Sequence, residues 1–138
     1  MLTKPDLETL ANIRIEDATH LLQAGRASSA YYLAGYAVEL ALKACIAKGF
    51  RPNVIPEKAF VNAIYTHSFQ SLLELAGLKH AFQAESGADP RLAANWGVAS
   101  KWTEAARYEL WDAVSAGSLI AAIADPQHGV LQWLKKYW

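Results

Sequence analysis

The chain has 138 residues, 13 basic and 13 acidic side chains, and a formal net charge of zero. That length suits one domain with a real core, and the charge balance excludes a global field that would draw in nucleic acid or anionic lipid; either would need a local patch. A single cysteine, Cys45, excludes an intramolecular disulfide and makes a reducing cytoplasm the expected home, and the opening MLTKPDLETL shows neither an apolar signal core nor a lipidation pattern.

The pattern is helical from the start. Pro5, followed by Asp6 and Glu8, marks a helix start, with proline in the first turn and acids at the positive end of the dipole. Leu7, Leu10, Ile13, Ala18, Leu21 and Leu22 define its expected apolar stripe, which runs up to Gly25. Arg26 to Ser29 read as a turn with capping residues, and a second helix is expected to run to about Lys48, with Gly49 as a left-handed cap. Residues 50–56 hold two prolines and an asparagine and read as a loop; residues 57–65 have room for a helical turn.

A third helix is expected to start at Thr66 or His67 and to carry Phe69, Leu72, Leu73 and Ala76 before Gly77 ends it. Asp89 and Pro90 are the cap and first residue of a short helix or turn reaching Trp96. A long helix is predicted over residues 103–124, with Ala106, Leu110, Ala113, Val114 and Ile120 on one stripe. Asp125 and Pro126 then start a short terminal helix. No segment alternates with period two, and there is no low-complexity tract or solenoid-length repeat. The expected fold is all-α, an antiparallel up-and-down bundle of four main helices with short extra ones.

Within the second helix, the run from Tyr31 to Ala47, YYLAGYAVELALKACIA, contains only two charges, Glu39 and Lys43. Its length approaches that of a membrane span, but each of these charges would cost a few kcal/mol at bilayer depth, and no aromatic belt flanks the run. A central helix surrounded by other helices is the expected reading. At spacing i, i+4, Glu39 and Lys43 suit a structural ion pair, with Arg107 as a further partner for Glu39. Tyr32, Tyr36, Glu39 and Lys43 also advance by four, three and four, so they share one helical face. Left partly uncovered, that face offers an aromatic wall for a base, a cation for a phosphate and a carboxylate for a ribose, with Arg107 and Tyr108 to complete it.

The segment AYYLAGYAVELALKACIAKG, preceded by ATHLLQAGR and followed by THSFQSLLELAGL, WTEAARY and GVLQWLKKYW, resembles the HEPN family of small all-helical proteins over nearly the whole chain. The resemblance implies a single domain over residues 1–138. It also implies one of two functions: a metal-independent ribonuclease, often a toxin, or a non-catalytic module that binds a nucleotide or RNA or pairs with a small nucleotidyltransferase in a toxin–antitoxin-like setting. The ribonucleases of the family carry an arginine followed four to six residues later by a histidine, paired across a dimer. Histidine there moves the proton while arginine steadies the phosphate.

This chain departs from that motif. Arg107 is followed by YELWDAV, without a histidine, and only Arg14 and His20 in RIEDATH fit the spacing, in a helix where the motif is not expected. The non-catalytic module is therefore the expected function, with a divergent ribonuclease as the alternative. His20, His67, His80 and His128 and the lone cysteine show no metal-ligand spacing, so neither metal nor cofactor is expected. His67 resembles a position often histidine in the family and is expected to cap or contact a neighbouring helix, while His80 and His128 read as solvated. Trp133, Tyr137 and Trp138 sit on a terminal helix too short to stand alone, so it must dock on its own bundle or on a second copy in a homodimer.

Overall fold

A computed structural model describes residues 1–138, and every regular element in it is helical. Helix α1 spans Lys4–Gln23, α2 Ala27–Lys48, α3 Lys58–Ile64, α4 Phe69–Leu75, α5 Lys79–Ala88, α6 Pro90–Ala99, α7 Ala113–Ala124 and α8 Val130–Lys135, with a 3-10 turn at Glu104–Tyr108. The helix α2 is the axis of the fold. It packs against α1, α4, α7, α8 and the 3-10 turn. Twelve of its residues are buried, including Ala30, Ala34, Ala37, Ala41 and Ala44. Small side chains at these places let neighbouring backbones approach on several sides, which explains a helix that is apolar all round. By length and composition alone α2 could also cross a membrane.

Local chemistry sets most of the boundaries. Thr3 caps α1 in a reciprocal box with Asp6, and Pro5 occupies its first turn. The buried stripe is Leu7, Ala11, Ile15 and Ala18. Leu10 is only half-buried and Ile13 is exposed, so both lie off that stripe. Gly25, at φ +77°, reverses the chain into α2. Ser28 and Ser29 do not cap that helix. Gly49 ends it in right-handed geometry, at φ −78°. Ser68 caps α4, Gly77 leaves it at φ +73°, and Asp89 caps α6 with Pro90 following. The sequence reading did not assign α5, whose Phe82 packs on Trp96 and Trp133.

The predicted helix over residues 103–124 is two pieces. A 3-10 turn ends at Tyr108, Glu109 is extended, and α7 begins only after Asp112, whose carboxylate accepts the Ser115 N–H at 2.7 Å. Trp111 explains the break. Its ring stacks on Tyr31 at 3.7 Å, and its backbone N–H donates to Ser28 Oγ at 2.9 Å. That double anchor pulls residues 109–112 out of helical register and leaves Leu110 and Val114 exposed, off the expected stripe. At the other end, α8 docks on its own chain. Val130, Leu131, Trp133 and Leu134 are buried, Tyr137 bonds Glu85, and Cys45 is an enclosed thiol that burial pushes up to about 11.

Three aspartates at helix starts, Asp6, Asp89 and Asp112, and Asp125 at the end of α7 share one electrostatic signature. Asp6, Asp89, Asp112 and Asp125 all titrate below the usual carboxylate range. The main causes are, in turn, the Thr3 side chain, the His128 side chain, the Ser115 backbone and the His128 backbone. A depressed folded-state value contributes stability above the ordinary aspartate range that is lost as pH falls through the lowered values. The melting temperature is therefore expected to hold from neutral pH to about pH 5 and to fall steadily below about pH 4. Thermal melts across that range check this, and a flat profile would mean that the caps do not form.

Candidate functional site

The charged face of α2 forms a polar seam against the loop that precedes α4. Glu39 is only 4% exposed, yet both carboxylate oxygens are matched. Lys43 Nζ donates to Oε1 at 2.9 Å, and His67 Nδ1 lies 2.8 Å from Oε2. An ionised carboxylate only accepts, so the His67 proton sits on Nδ1 and Nε2 is left as the free nitrogen. His67 thus contacts the neighbouring helix as expected, while the capping falls to Ser68. Arg107 is not a partner of Glu39; the third member of the group is the histidine.

Further along α2 the seam becomes aromatic. The Tyr32 hydroxyl donates to that of Tyr36 at 3.4 Å, and the Tyr36 ring stands edge-on to His67 at 6.1 Å and to Trp102 at 5.0 Å. Burial first, then the Tyr32 hydrogen bond and the nearby Glu39, raise the Tyr36 phenol well above its ordinary range, so it remains a neutral group. Trp102 lies directly over Gly35 and stacks on Phe69 at 5.5 Å. Gly35 is what makes that approach possible.

At the open end stand Arg107 and Tyr108. The guanidinium sits 4.8 Å from the Tyr108 ring centroid, and Tyr108 is 80% exposed. Tyr108 first, and Tyr32 next, raise the Arg107 value, so its charge is secure and it lies within reach of both phenols. The six predicted residues therefore divide into an exposed pair, Arg107 and Tyr108, and a more enclosed group of half-buried Tyr32, Tyr36 and Lys43 with buried Glu39, the two joined where Arg107 reaches Tyr32.

Two clefts open at the edges of the seam. Lys43 edges an apolar cleft of about 240 Å³ with Leu2, Leu7, Ile46 and Phe50, and His67 lines a polar one of about 310 Å³ with Gln70, Trp102, Thr103 and Glu104. Arg14 and His20 both lie on α1, with His20 exposed. Six residues on one straight helix are about 9 Å apart along the axis and about 240° apart around it, so the two do not converge within a single chain. No group of three or more His, Cys, Asp or Glu side chains could hold a metal ion. No protein-family model, curated protein or solved structure matches this chain.

Two residues that the sequence reading set aside carry more than expected. His67 is the ligand of a buried carboxylate rather than a simple helix-end group. His128, read as solvated, faces Asp89 Oδ2 at 2.8 Å. Neither pairing was visible in sequence, since 28 and 39 residues separate the partners.

Proposed function

We propose that this chain is a non-catalytic HEPN-like module, a single domain with four main helices in antiparallel up-and-down order. It binds a nucleotide or short RNA, or pairs with a small nucleotidyltransferase, in a cytoplasmic toxin–antitoxin-like setting. The observation that carries this reading is the exposed Arg107 over Tyr108 beside Tyr32. A secure cation next to an open aromatic face suits a phosphate and a stacked base together, and it needs no deep cleft. The burial of α2 among other helices supports a protein outside the membrane. Tyr108, Leu110 and Val114, exposed close together in the chain, support a homodimer in which a second copy covers them.

Fluorescence anisotropy with a labelled single-stranded RNA, alongside calorimetry with nucleoside monophosphates, tests the binding. Tyr108→Ala is expected to weaken RNA binding by about 1–3 kcal/mol, the usual worth of one stacked base. Arg107→Ala is expected to flatten the salt dependence, since it removes a phosphate contact. No binding by the native chain would remove this reading.

The alternative, a divergent metal-independent ribonuclease, draws on one observation. Glu39 orients His67 so that Nε2 is free, the arrangement a general base needs. RNA cleavage by the native protein that disappears in a folded His67→Ala variant would put that reading first.

A further inference from the structure

A polar recess lies away from the α2 seam, between the start of α6 and the terminal helix α8. It has a volume of about 360 Å³, and its polar walls are Asp89, Gln127, His128, Gln132, Lys135 and Lys136. Asp89 is its only acid, and that carboxylate is already engaged. Oδ1 accepts the N–H groups of Arg91 and Leu92 at 3.1 and 3.2 Å, and Oδ2 takes His128 Nδ1 at 2.8 Å. Ion pairing in this direction places the His128 proton on Nδ1 and leaves Nε2 without a partner.

His128 is also held by its backbone. Its N–H donates to Asp125 Oδ1 at 2.8 Å, and its carbonyl accepts from Asn95 Nδ2 at 2.9 Å. The backbone is thus held on both sides and the ring by Asp89, with one ring nitrogen unused. Lys135 sits 5.6 Å from the Trp138 ring, and Lys136 reaches Glu85. Beyond the satisfied Asp89, the recess offers mainly donors: two ammonium groups, two side-chain amides and the imidazole.

We propose that this recess binds a small phosphomonoester. Its phosphate accepts Nε2–H from a protonated His128 while Nδ1–H stays on Asp89, and Lys135 supplies a second charge-assisted donor. A tetrahedral dianion has enough acceptor positions for several converging donors. Leu92, Pro126 and Trp133 give the organic part of the ester an apolar wall. The volume lies in the range of small-molecule sites and leaves space beyond the phosphate group itself.

Charge makes the site proton-linked. Asp89 and Asp125 bond His128 directly, Arg91 acts on Asp125, and Lys135 and Lys136 line the same recess, Lys136 paired with Glu85. A phosphate oxygen only accepts, so its bond to Nε2 while Nδ1–H stays on Asp89 needs a proton on both ring nitrogens; binding that takes up a proton weakens as pH rises. The ligand's own titration pushes the other way, because a phosphomonoester loses charge as pH falls toward 6.

The test is a titration of the full chain with phenyl phosphate and with inorganic phosphate at constant ionic strength, following the His128 ring resonances by NMR. Expected is a saturable shift at Nε2 with a dissociation constant of about 1 mM or below at about pH 6, weakening at least about tenfold by pH 8. His128→Gln, titrated with the same ligands by calorimetry, is expected to abolish binding. A shift that does not saturate, one that chloride reproduces, or binding retained by folded His128→Gln overturns the proposal. Equal affinity at the two pH values in the native protein overturns it as well, which keeps the test decisive if the variant fails to fold.

Discussion

Gly35→Ala is expected to destabilise the protein by about 1–3 kcal/mol, the range for overpacking a filled core. The same change in an open helix interior stabilises by about 1 kcal/mol, so the sign itself is informative. A Cβ built on Gly35 would lie 2.0, 2.1 and 2.3 Å from Cδ2, Cε2 and Nε1 of Trp102, well inside contact distance. The indole has nowhere to retreat. It is 3% exposed, stacked on Phe69 with only 9° between the planes, and flanked by Tyr36. Its Nε1 is buried without a hydrogen-bond partner, so packing alone holds it. Gly117→Ala is the matched control. Its nearest neighbour would be Leu22 Cδ2 at 3.8 Å, an ordinary contact, so that variant is expected to be neutral or slightly more stable. Urea unfolding of the two variants decides the matter. A Gly35→Ala midpoint at or above that of the native protein would mean that Trp102 does not rest on α2.

The contrast between these two glycines shows where sequence information ran out. The all-helical class was legible because starts and periodicity are local: Pro5 with Asp6, and Asp89 with Pro90, each announce a helix within a turn, whereas the start expected at Thr66 or His67 falls at Ser68. The expected long helix over residues 103–124 failed for a nonlocal reason. Its apolar spacing was acceptable, but Trp111 is drawn to Tyr31 and Ser28, more than 75 residues earlier, and that tertiary contact overrides the pattern. The Asp112 cap to Ser115 was the local signal that could have marked the true start of α7.

The candidate site was legible to the same depth. Tyr32, Tyr36, Glu39 and Lys43 share a face because helical spacing alone dictates it. The partner of Glu39 was another matter. Arg107 was the natural choice among charged residues on a neighbouring element, yet the break before α7 carries it outward onto Tyr108. His67 takes its place because Ser68, not His67, caps α4, which frees the imidazole to turn back toward α2. Two displaced helix boundaries, at α4 and at α7, thus moved the two ends of the predicted site.

Glu39→Ala is expected to cost more than a surface ion pair and to approach the roughly 3–5 kcal/mol seen when one partner of a buried pair is removed. The cost should fall toward the lower end, because the Lys43 and His67 side chains are 18% and 42% exposed and can find water once the carboxylate is gone. Glu39→Gln separates charge from shape. Its amide oxygen can still accept from Lys43, while its NH₂ faces His67 and requires Nδ1 to accept, moving the imidazole proton to Nε2. Stability should then fall by less than in the alanine variant, with the change visible as a switched His67 tautomer in nitrogen-15 spectra. The pair of variants distinguishes the two roles for this seam. Loss of stability in both, with RNA affinity intact in whatever remains folded, makes Glu39 an electrostatic pin between α2 and the α4 loop. A folded Glu39→Gln protein that no longer binds nucleotide makes it part of the ligand face. A Glu39→Ala melting temperature equal to that of the native chain would remove the structural role altogether, because no buried carboxylate with two charge-assisted partners can be deleted without cost.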